Sequence, residues 1–467
     1  MQFEQPGYHI MTWGCQMNEE DSEQMALCLE QMGCAPVDDP ARADIVLLNT
    51  CSVRQKPEEK VYSKLGELRE LKAARPEMIL GVCGCMAQVE SAQIRRRAPF
   101  VDLVVGTGNI AAIPRLIEAI RDRRRLGIGA GAVAALDLPP RKGAIVTDVP
   151  VRAIRRRPKL KAHVPIMYGC DKFCTFCIVP YTRGRERSRP TSEILAEIRG
   201  LALGGTREVC LLGQTVNSYG KNLAEGRVPF ARLLEQIAQI RGIKRIRFTS
   251  PYPRDFKDDL IEAIARIPQV CEHVHLPLQA GDDELLARMR RGYTVAEYRE
   301  IVRKLRSAVP GVAVTTDIML GFPGETEAQF ENTLRFVEQT RFDSAFMFAY
   351  SVRPGTKAAE MPDQVPREVK IARLNRLVAA QNRITAEINR SHVGECVEVL
   401  VEGRSQRDPS RLSGYSRTGK MVHFPAPAAS RDADGLVGRL VHVRVTDGLL
   451  TGFLGELADD PERPRRG

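Results

Sequence analysis

Apolar and polar positions alternate along this chain with periods that change three times. Between Tyr8 and Arg124, short apolar runs at Tyr8–Trp13, Ile45–Asn49, Met78–Val82 and Val101–Gly106 are interleaved with helical patterns at Glu19–Met32, Pro57–Ala74, Ala87–Arg97 and Ile113–Arg124. This alternation predicts a parallel sheet with crossover helices, a first domain over residues 6–124. Residues 125–160 are rich in Gly, Ala, Pro and Arg, hold no sustained period and read as a linker. From Lys161 the alternation resumes with strands at Ala162–Tyr168, Glu208–Leu212, Arg245–Thr249, His273–Pro277, Ala313–Leu320 and Ser344–Tyr350. Amphipathic helices separate them, and a long helix follows at Arg367–Asn389. Six strand–helix units over 161–390 predict a partial (β/α)6 barrel, smaller than the closed eight-unit form. Over 392–457 the period becomes two, as in Cys396–Val401 and Leu440–Val445, which predicts a small antiparallel β-barrel. The tail, 458–467, is charged and contains proline, and reads as disordered. The fold class is therefore α/β, with a β-barrel appended.

Composition narrows the partners. A chain of 467 residues is expected to form two or three domains, and 43% hydrophobic residues suffice for their cores. No apolar run reaches membrane-spanning length. The start, from Met1 to Cys15, lacks the basic, apolar and small-residue segments of a signal peptide, so a cytoplasmic protein without a membrane partner is expected. The net charge of +11 favours a polyanionic partner such as nucleic acid, although composition alone allows a basic surface without a ligand. Three arginine triplets, Arg95–Arg97, Arg123–Arg125 and Arg155–Arg157, are expected to be exposed and to hold phosphates. The 12 cysteines stay reduced in such a compartment, so metal or cluster ligation explains some of them better than disulfides do.

Cys170, Cys174 and Cys177 lie on one loop just past the first strand of the barrel, with spacings of C-x3-C and C-x2-C. No Cys or His follows until Cys210. Structural zinc asks for four protein ligands, whereas three thiolates leave one iron of a four-iron cluster open to an exogenous ligand. A zinc loop completed by a distant ligand is the competing reading. Phe173 and Phe176, between the ligands, would keep water from such a cluster.

A second set emerges only once strands are placed. Cys15, Cys51 and Cys85 each lie just past a parallel strand and just before a helix. Ligands bind at that edge of open α/β sheets, and helix N-termini favour the thiolate. Three crossovers could thus bring three thiols to one place; three buried core cysteines are the alternative. Cys83 competes with Cys85 for the third position, and Cys85 is preferred because it sits in the Gly84-Cys85-Met86 turn. For Cys28, Cys34, Cys210, Cys271 and Cys396 the core reading is preferred.

The Cys170–Cys177 spacing resembles the radical S-adenosylmethionine superfamily. That resemblance implies that S-adenosylmethionine occupies the open iron. It makes Gly213 and Gln214, after the second strand, candidates to hold the methionine moiety. Gly321, Phe322, Pro323, Gly324 and Glu325, after the fifth strand, are further candidate cofactor contacts, since barrel sites sit on that face. Three segments, Thr12–Asn18, Leu48–Arg54 and Gly84–Ala87, resemble N-terminal motifs of the methylthiotransferases. Tyr168–Cys170, Val179–Gly184, Arg187–Pro190 and Gly321–Thr326 resemble motifs of the same family's core, and the C-terminal segment resembles its TRAM domain.

The resemblance implies two 4Fe-4S clusters, one on Cys170, Cys174 and Cys177 and one on Cys15, Cys51 and Cys85. It also implies S-adenosylmethionine as radical source and methyl donor, with the second cluster carrying the sulfur. The expected reaction is methylthiolation of carbon 2 of N6-dimethylallyladenosine beside the tRNA anticodon, in a single-stranded loop where bases can be splayed out and read. Expected partners are that tRNA, an electron donor of flavodoxin or ferredoxin type, and sulfur-carrier or cluster-assembly proteins; a monomer is expected. Rival readings are a family member acting on threonylcarbamoyl-adenosine or on a ribosomal-protein aspartate, and a non-catalytic iron–sulfur RNA-binding protein.

Overall fold

A computed structural model describes residues 5–51, 55–128, 131–139, 146–153, 155–426 and 435–458. The expected tail, beyond Ala458, lies outside the described residues. The N-terminal unit runs β1 (Gly7–Trp13), α1 (Gln16–Gln31), β2 (Ala35–Pro36), β3 (Ile45–Thr50), α2 (Gln55–Ala74), β4 (Ile79–Gly84), α3 (Cys85–Arg97), β5 (Leu103–Val105), α4 (Ile113–Arg125) and β6 (Val133–Ala135). Its sheet has the order β2-β1-β3-β4-β5-β6 with every neighbour parallel. Both faces are covered, which is why Ile45–Leu48 of β3 are apolar without a break. Ile45 and Leu47 pack with Met25 and Leu29 of α1 and Ile117 of α4, whereas Val46 and Leu48 pack with Val61 and Leu65 of α2 and Met86 of α3.

The segment read as a linker contributes β6 to this sheet, which corrects that expectation. A three-residue edge strand is too short to carry a period; only its pairing with β5 defines it. The same segment also corrects the view of the third arginine triplet. Arg156 is buried, with its guanidinium 2.6 Å from Glu23 of α1 and 2.8 Å from Glu197. Neighbouring Arg152 pairs with Glu20 and Glu197 and donates to the Tyr168 hydroxyl. Arg124, in the second triplet, bridges to Asp102 at 2.8 Å. Arg95, Arg96, Arg97, Arg123, Arg125, Arg155 and Arg157 are exposed as expected.

The middle unit runs β7 (Lys161–Pro165), β8 (Met167–Tyr168), α5 (Val179–Thr182), β9 (Arg187–Ser188), α6 (Thr191–Leu203), β10 (Glu208–Leu212), α7 (Phe230–Ala238), β11 (Arg245–Phe248), α8 (Asp258–Arg266), β12 (His273–His275), α9 (Asp283–Arg288), α10 (Val295–Ala308), β13 (Ala313–Leu320), α11 (Glu327–Thr340), β14 (Ser344–Ala349) and α12 (Arg367–Ser391). Parallel sheets β11-β10-β7 and β12-β13-β14 are joined by a bridge between Ile246 and Val270. The six strands form one curved wall, and among the described residues no pairing closes β7 onto β14. The last unit is a closed barrel, β15 (Cys396–Arg404), β16 (Arg411–Ser416), β17 (Met421–Pro425), β18 (Leu440–Leu449) and β19 (Gly452–Leu457). It is antiparallel except where β17 pairs parallel with β19.

Buried charge fastens the units to one another. Glu197 of α6 faces Arg152, Arg156 and Arg189. Burial opposes its ionisation, but those three cations outweigh it and hold its carboxyl below the usual range. Removing one partner of a buried network leaves the others uncompensated, so Glu197→Ala is expected to destabilise the protein by about 3–5 kcal/mol. A carboxyl with a depressed folded pKa stabilises above its unfolded pKa and stops doing so as pH falls through the folded value. Thermal melts of the wild type should therefore lose this contribution on acidification below about pH 4, and Glu197→Ala should remove that part of the pH dependence.

The C-terminal barrel seats on the N-terminal ends of the core strands. Arg245, the first residue of β11, reaches Glu398 at 2.8 Å and the Tyr415 carbonyl at 2.7 Å. Arg417 pairs with Glu272, just before β12, and Lys420 with Asp343, just before β14. This seat is at the end of the wall opposite to Cys170.

Candidate functional site

The cysteine loop grows from the C-terminal mouth of the wall. Its base is closed where β8 pairs antiparallel with β9, and the Cys170 amide donates to the Gly184 carbonyl at 3.1 Å. Gly169 has φ +73°, and a Cβ there would meet the Arg185 carbonyl oxygen at 2.0 Å, so only glycine fits this crossing. Phe173 also takes the left-handed region, φ +49°, bending the loop between the first two thiols. The rest is pinned: the Thr175 amide and hydroxyl donate to the Met289 and Arg288 carbonyls, and the Ala358 amide donates to the Thr175 carbonyl. Asp171 holds Arg185 at 2.8 Å and Lys172 holds Asp255 at 2.6 Å. Cys170 and Cys174 are buried and Cys177 is half-buried. Burial pushes the Cys170 thiol up, and the nearby Cys177 and Cys174 add to it. Burial and Cys174 likewise push Cys177 up to about 12. Metal coordination is what removes such protons, because a coordinating thiol is deprotonated outright.

The second set is built by strand register. Trp13, Thr50 and Gly84 pair across β1, β3 and β4, so Cys51 and Cys85 follow adjacent positions and Cys15 lies two past its own. The Cys51 amide donates to the Trp13 carbonyl at 3.0 Å. Asn18 and Asn49 lock the two strand ends: the Asn18 amide nitrogen donates to the Asn49 side-chain oxygen and the Thr50 carbonyl, and that of Asn49 donates to the Asn18 carbonyl. Gly84 has φ +90°, and a Cβ there would collide with Asn49 and Thr50. Contact with Cys51, helped by the charge of Arg183, holds the Cys15 thiol below the usual thiol range. Cys85 is buried, which raises its thiol, while Arg183 and the Thr182 side chain act to lower it. Cys83 instead lies in the apolar layer with Tyr8, Met25 and Leu29, where burial pushes its thiol up to about 12.

One short segment joins the two sets. Six residues past Cys177, Arg183 donates to Asp21 of α1 at 2.7 Å, and the Thr107 hydroxyl donates to the Thr182 carbonyl at 2.6 Å. Val179–Arg183 thus leaves the core loop and packs against the edge carrying Cys15 and Cys85. Among the described residues no three ligating side chains close around a single ion. A cluster, in which each thiolate binds its own iron, spaces its ligands more widely than one tetrahedral ion does. Two sets of three thiols, each at a strand mouth, fit that donor chemistry.

Three known families match successive parts of the chain: the Radical SAM superfamily at residues 164–337, the Uncharacterized protein family UPF0004 at 7–106 and the TRAM domain at 390–454. The chain is 47% identical over 454 residues to a tRNA-2-methylthio-N(6)-dimethylallyladenosine synthase of Moorella thermoacetica, covering 97% of this chain and 98% of that protein. A synthase of the same name from Carboxydothermus hydrogenoformans is also 47% identical, covering 96% and 99%. The chain belongs to this synthase family. Among solved structures, the radical S-adenosylmethionine methyltransferase TsrM from Kitasatospora setae shares the fold, with TM-score 0.55 and 17% identity over 76% of this chain and 75% of that one.

The remaining candidates for this synthase-family chain divide into two groups. Gly213 lies against Met167 at the mouth, and the buried side-chain oxygen of Gln214 has no hydrogen-bond partner. Gly321–Glu325 forms a turn whose side chains are already committed. Glu325 accepts from the Gly321 amide at 3.0 Å and pairs with Arg373 of α12 at 2.8 Å; Phe322 is fully buried against Tyr350; and the Pro323 carbonyl accepts from Arg288. The Arg183, Asp21, Thr182, Asn18, Asn49 and Arg291 roles were not read from sequence. Asn18, Asn49, Thr182 and Arg183 lie inside the quoted motifs, but nothing local tells a buried charge from a solvated one. Cys396 is exposed rather than core, because β15 begins with it at the barrel rim; Cys34 and Cys271 are buried and Cys28 and Cys210 partly so.

Proposed function

We propose that this chain is a tRNA methylthiotransferase that replaces the hydrogen on carbon 2 of N6-dimethylallyladenosine, at position 37 beside the anticodon, with a methylthio group. The observation that carries the reading is the meeting of two three-thiol sites across Val179–Arg183, in a chain that matches the named synthases from end to end. When bound, a 4Fe-4S cluster with S-adenosylmethionine supplies the hydrogen-abstracting radical and the methyl group, and a second 4Fe-4S cluster supplies the sulfur. Cys170, Cys174 and Cys177 hold the first of these at the barrel mouth, and Cys15, Cys51 and Cys85 hold the second. Gly213 and Gln214, which follow β10, and the backbone of Gly321, Phe322, Pro323, Gly324 and Glu325, which follow β13, are the parts of the mouth offered to S-adenosylmethionine. An unactivated aromatic C–H resists acid–base substitution, which is why a radical source and a sulfur source must stand side by side.

In this division of labour, residues 6–124 carry sulfur, 161–390 generate the radical and 392–457 grip RNA. Residues 125–160 fasten the first two through Arg152 and Arg156. The exposed arginines hold tRNA phosphates, a flavodoxin- or ferredoxin-type donor feeds the cluster, and sulfur-carrier or cluster-assembly proteins renew the sulfur. The chain works as a monomer in the cytoplasm, and among the described residues no helix is long and apolar enough to cross a membrane.

The test is anaerobic reconstitution with iron and sulfide, followed by dithionite, S-adenosylmethionine and tRNA bearing N6-dimethylallyladenosine. Both 5′-deoxyadenosine and the 2-methylthio nucleoside are expected in the digest. Absence of 5′-deoxyadenosine would overturn the radical reading and favour a structural cluster. A methylthio product on another nucleoside alone would overturn the substrate.

A further inference from the structure

We propose that Arg291 is a positioning residue for the Cys170/Cys174/Cys177 centre: it holds the Cys174 sulfur and raises the potential at which a cluster there accepts an electron. This rests on the cluster reading above. Arg291 follows α9 and is buried, with 7% exposed. Its Nη1 donates to the Cys174 Sγ at 3.2 Å, Nε to the Tyr293 hydroxyl at 3.0 Å and Nη2 to the Pro277 carbonyl at 3.2 Å. The guanidinium lies 5.0 Å from the Tyr252 ring centre and 5.4 Å from that of Tyr293. Its own backbone is tied down, since the Tyr252 hydroxyl donates to the Arg291 carbonyl.

Among the described residues, Arg291 combines the lack of a carboxylate partner with a contact to sulfur; Arg187, buried too, donates to the Asp148 and Arg183 carbonyls. Arg183, Arg189, Arg245 and Arg373 are buried too, and each faces a carboxylate. Arg291 faces carbonyl, hydroxyl, aromatic ring and sulfur, and among the described residues it has no carboxylate partner. A buried cation without a counter-charge is costly, and the sulfur is the one atom it touches that becomes anionic on binding iron. Iron–sulfur potentials respond to net charge, to hydrogen bonds on the sulfurs and to exposure. Reduction adds one electron and breaks no bond, so a fixed positive charge at the ligand favours the reduced form.

The test is an electron-paramagnetic-resonance redox titration, with dithionite as reductant, of the full chain carrying Cys15→Ala, Cys51→Ala and Cys85→Ala. Only the Cys170/Cys174/Cys177 centre then contributes signal. Adding Arg291→Gln is expected to lower the equilibrium constant for one-electron reduction at least tenfold, a shift of about 59 mV to lower potential. Arg291→Lys keeps the charge but loses the planar fork, and is expected to fall between. A merely structural role would change how much iron is taken up and leave the potential of the bound cluster where it was. An Arg291→Gln potential equal to or above that of the parent overturns the proposal. Should Arg291→Gln take up no iron, Arg291→Lys decides: a lowered potential supports the proposal and an unchanged one overturns it. Absence of any cluster from the parent chain would instead overturn the reading under Proposed function.

Discussion

Cys174→Ala is expected to abolish 5′-deoxyadenosine formation altogether and to lower the iron content from about eight to about four atoms per chain. Three thiolates are the minimum that holds a four-iron cluster while leaving one iron open, so two cannot substitute. The loop itself should survive, because its shape depends on backbone: the Cys170 amide on the Gly184 carbonyl, the Thr175 amide on the Met289 carbonyl and the Ala358 amide on the Thr175 carbonyl. A circular-dichroism melt near that of the wild type, together with iron and sulfide assays and chromatography of the adenosine product, separates loss of the centre from loss of the fold. Retained cleavage of S-adenosylmethionine would remove Cys174 from the ligand set.

Cys85→Ala is expected to eliminate the methylthio product while leaving 5′-deoxyadenosine formation within several-fold of wild type, whereas Cys83→Ala should retain both. The two cysteines are separated by one residue yet lie in different environments. Cys83 belongs to β4 and its side chain enters the apolar layer with Tyr8, Met25 and Leu29. Its replacement removes one buried sulfur, a cost of about 1 kcal/mol. Cys85 opens α3 and stands beside Cys15, Arg183, Asp21 and Thr182. The alternation of side chains along a strand sends Cys83 into the core, and Gly84 then turns the chain so that Cys85 starts the helix at the sheet edge. Analysis of tRNA nucleosides by mass spectrometry and assay of 5′-deoxyadenosine in the same reactions read both outcomes. The reverse pattern, with Cys83→Ala losing the methylthio product, would move the third ligand to Cys83.

Several parts of this molecule were legible in the residue order because the physics that makes them is local. Strand β10 at Glu208–Leu212 and strand β13 at Ala313–Leu320 match the apolar runs residue for residue. A parallel strand covered on both faces is mostly apolar, and so stands out even where Thr315, Thr316 and Asp317 interrupt it. The C-x3-C-x2-C loop can be read for the same reason, since its three thiols lie within eight residues. The edge bearing Cys15, Cys51 and Cys85 needed one further rule, that ligands gather where parallel strands end. The register Trp13–Thr50–Gly84, which parallel pairing produces, places the three at that edge.

Residue order alone gave the parallel α/β scaffolds and the barrel after them, and pointed to two sets of three thiols at the strand ends. Tertiary structure decided what surrounds those thiols. Arg156 looked like a surface cation and is buried against Glu23 and Glu197. Val133–Ala135 looked like linker and is the edge strand of the sheet. Arg183 and Asp21 meet across 162 residues, and Arg291 and Cys174 across 117. A side chain's spacing along the backbone is written in the sequence. The partner of a buried charge is set by which surfaces pack together, and that choice belongs to the whole fold.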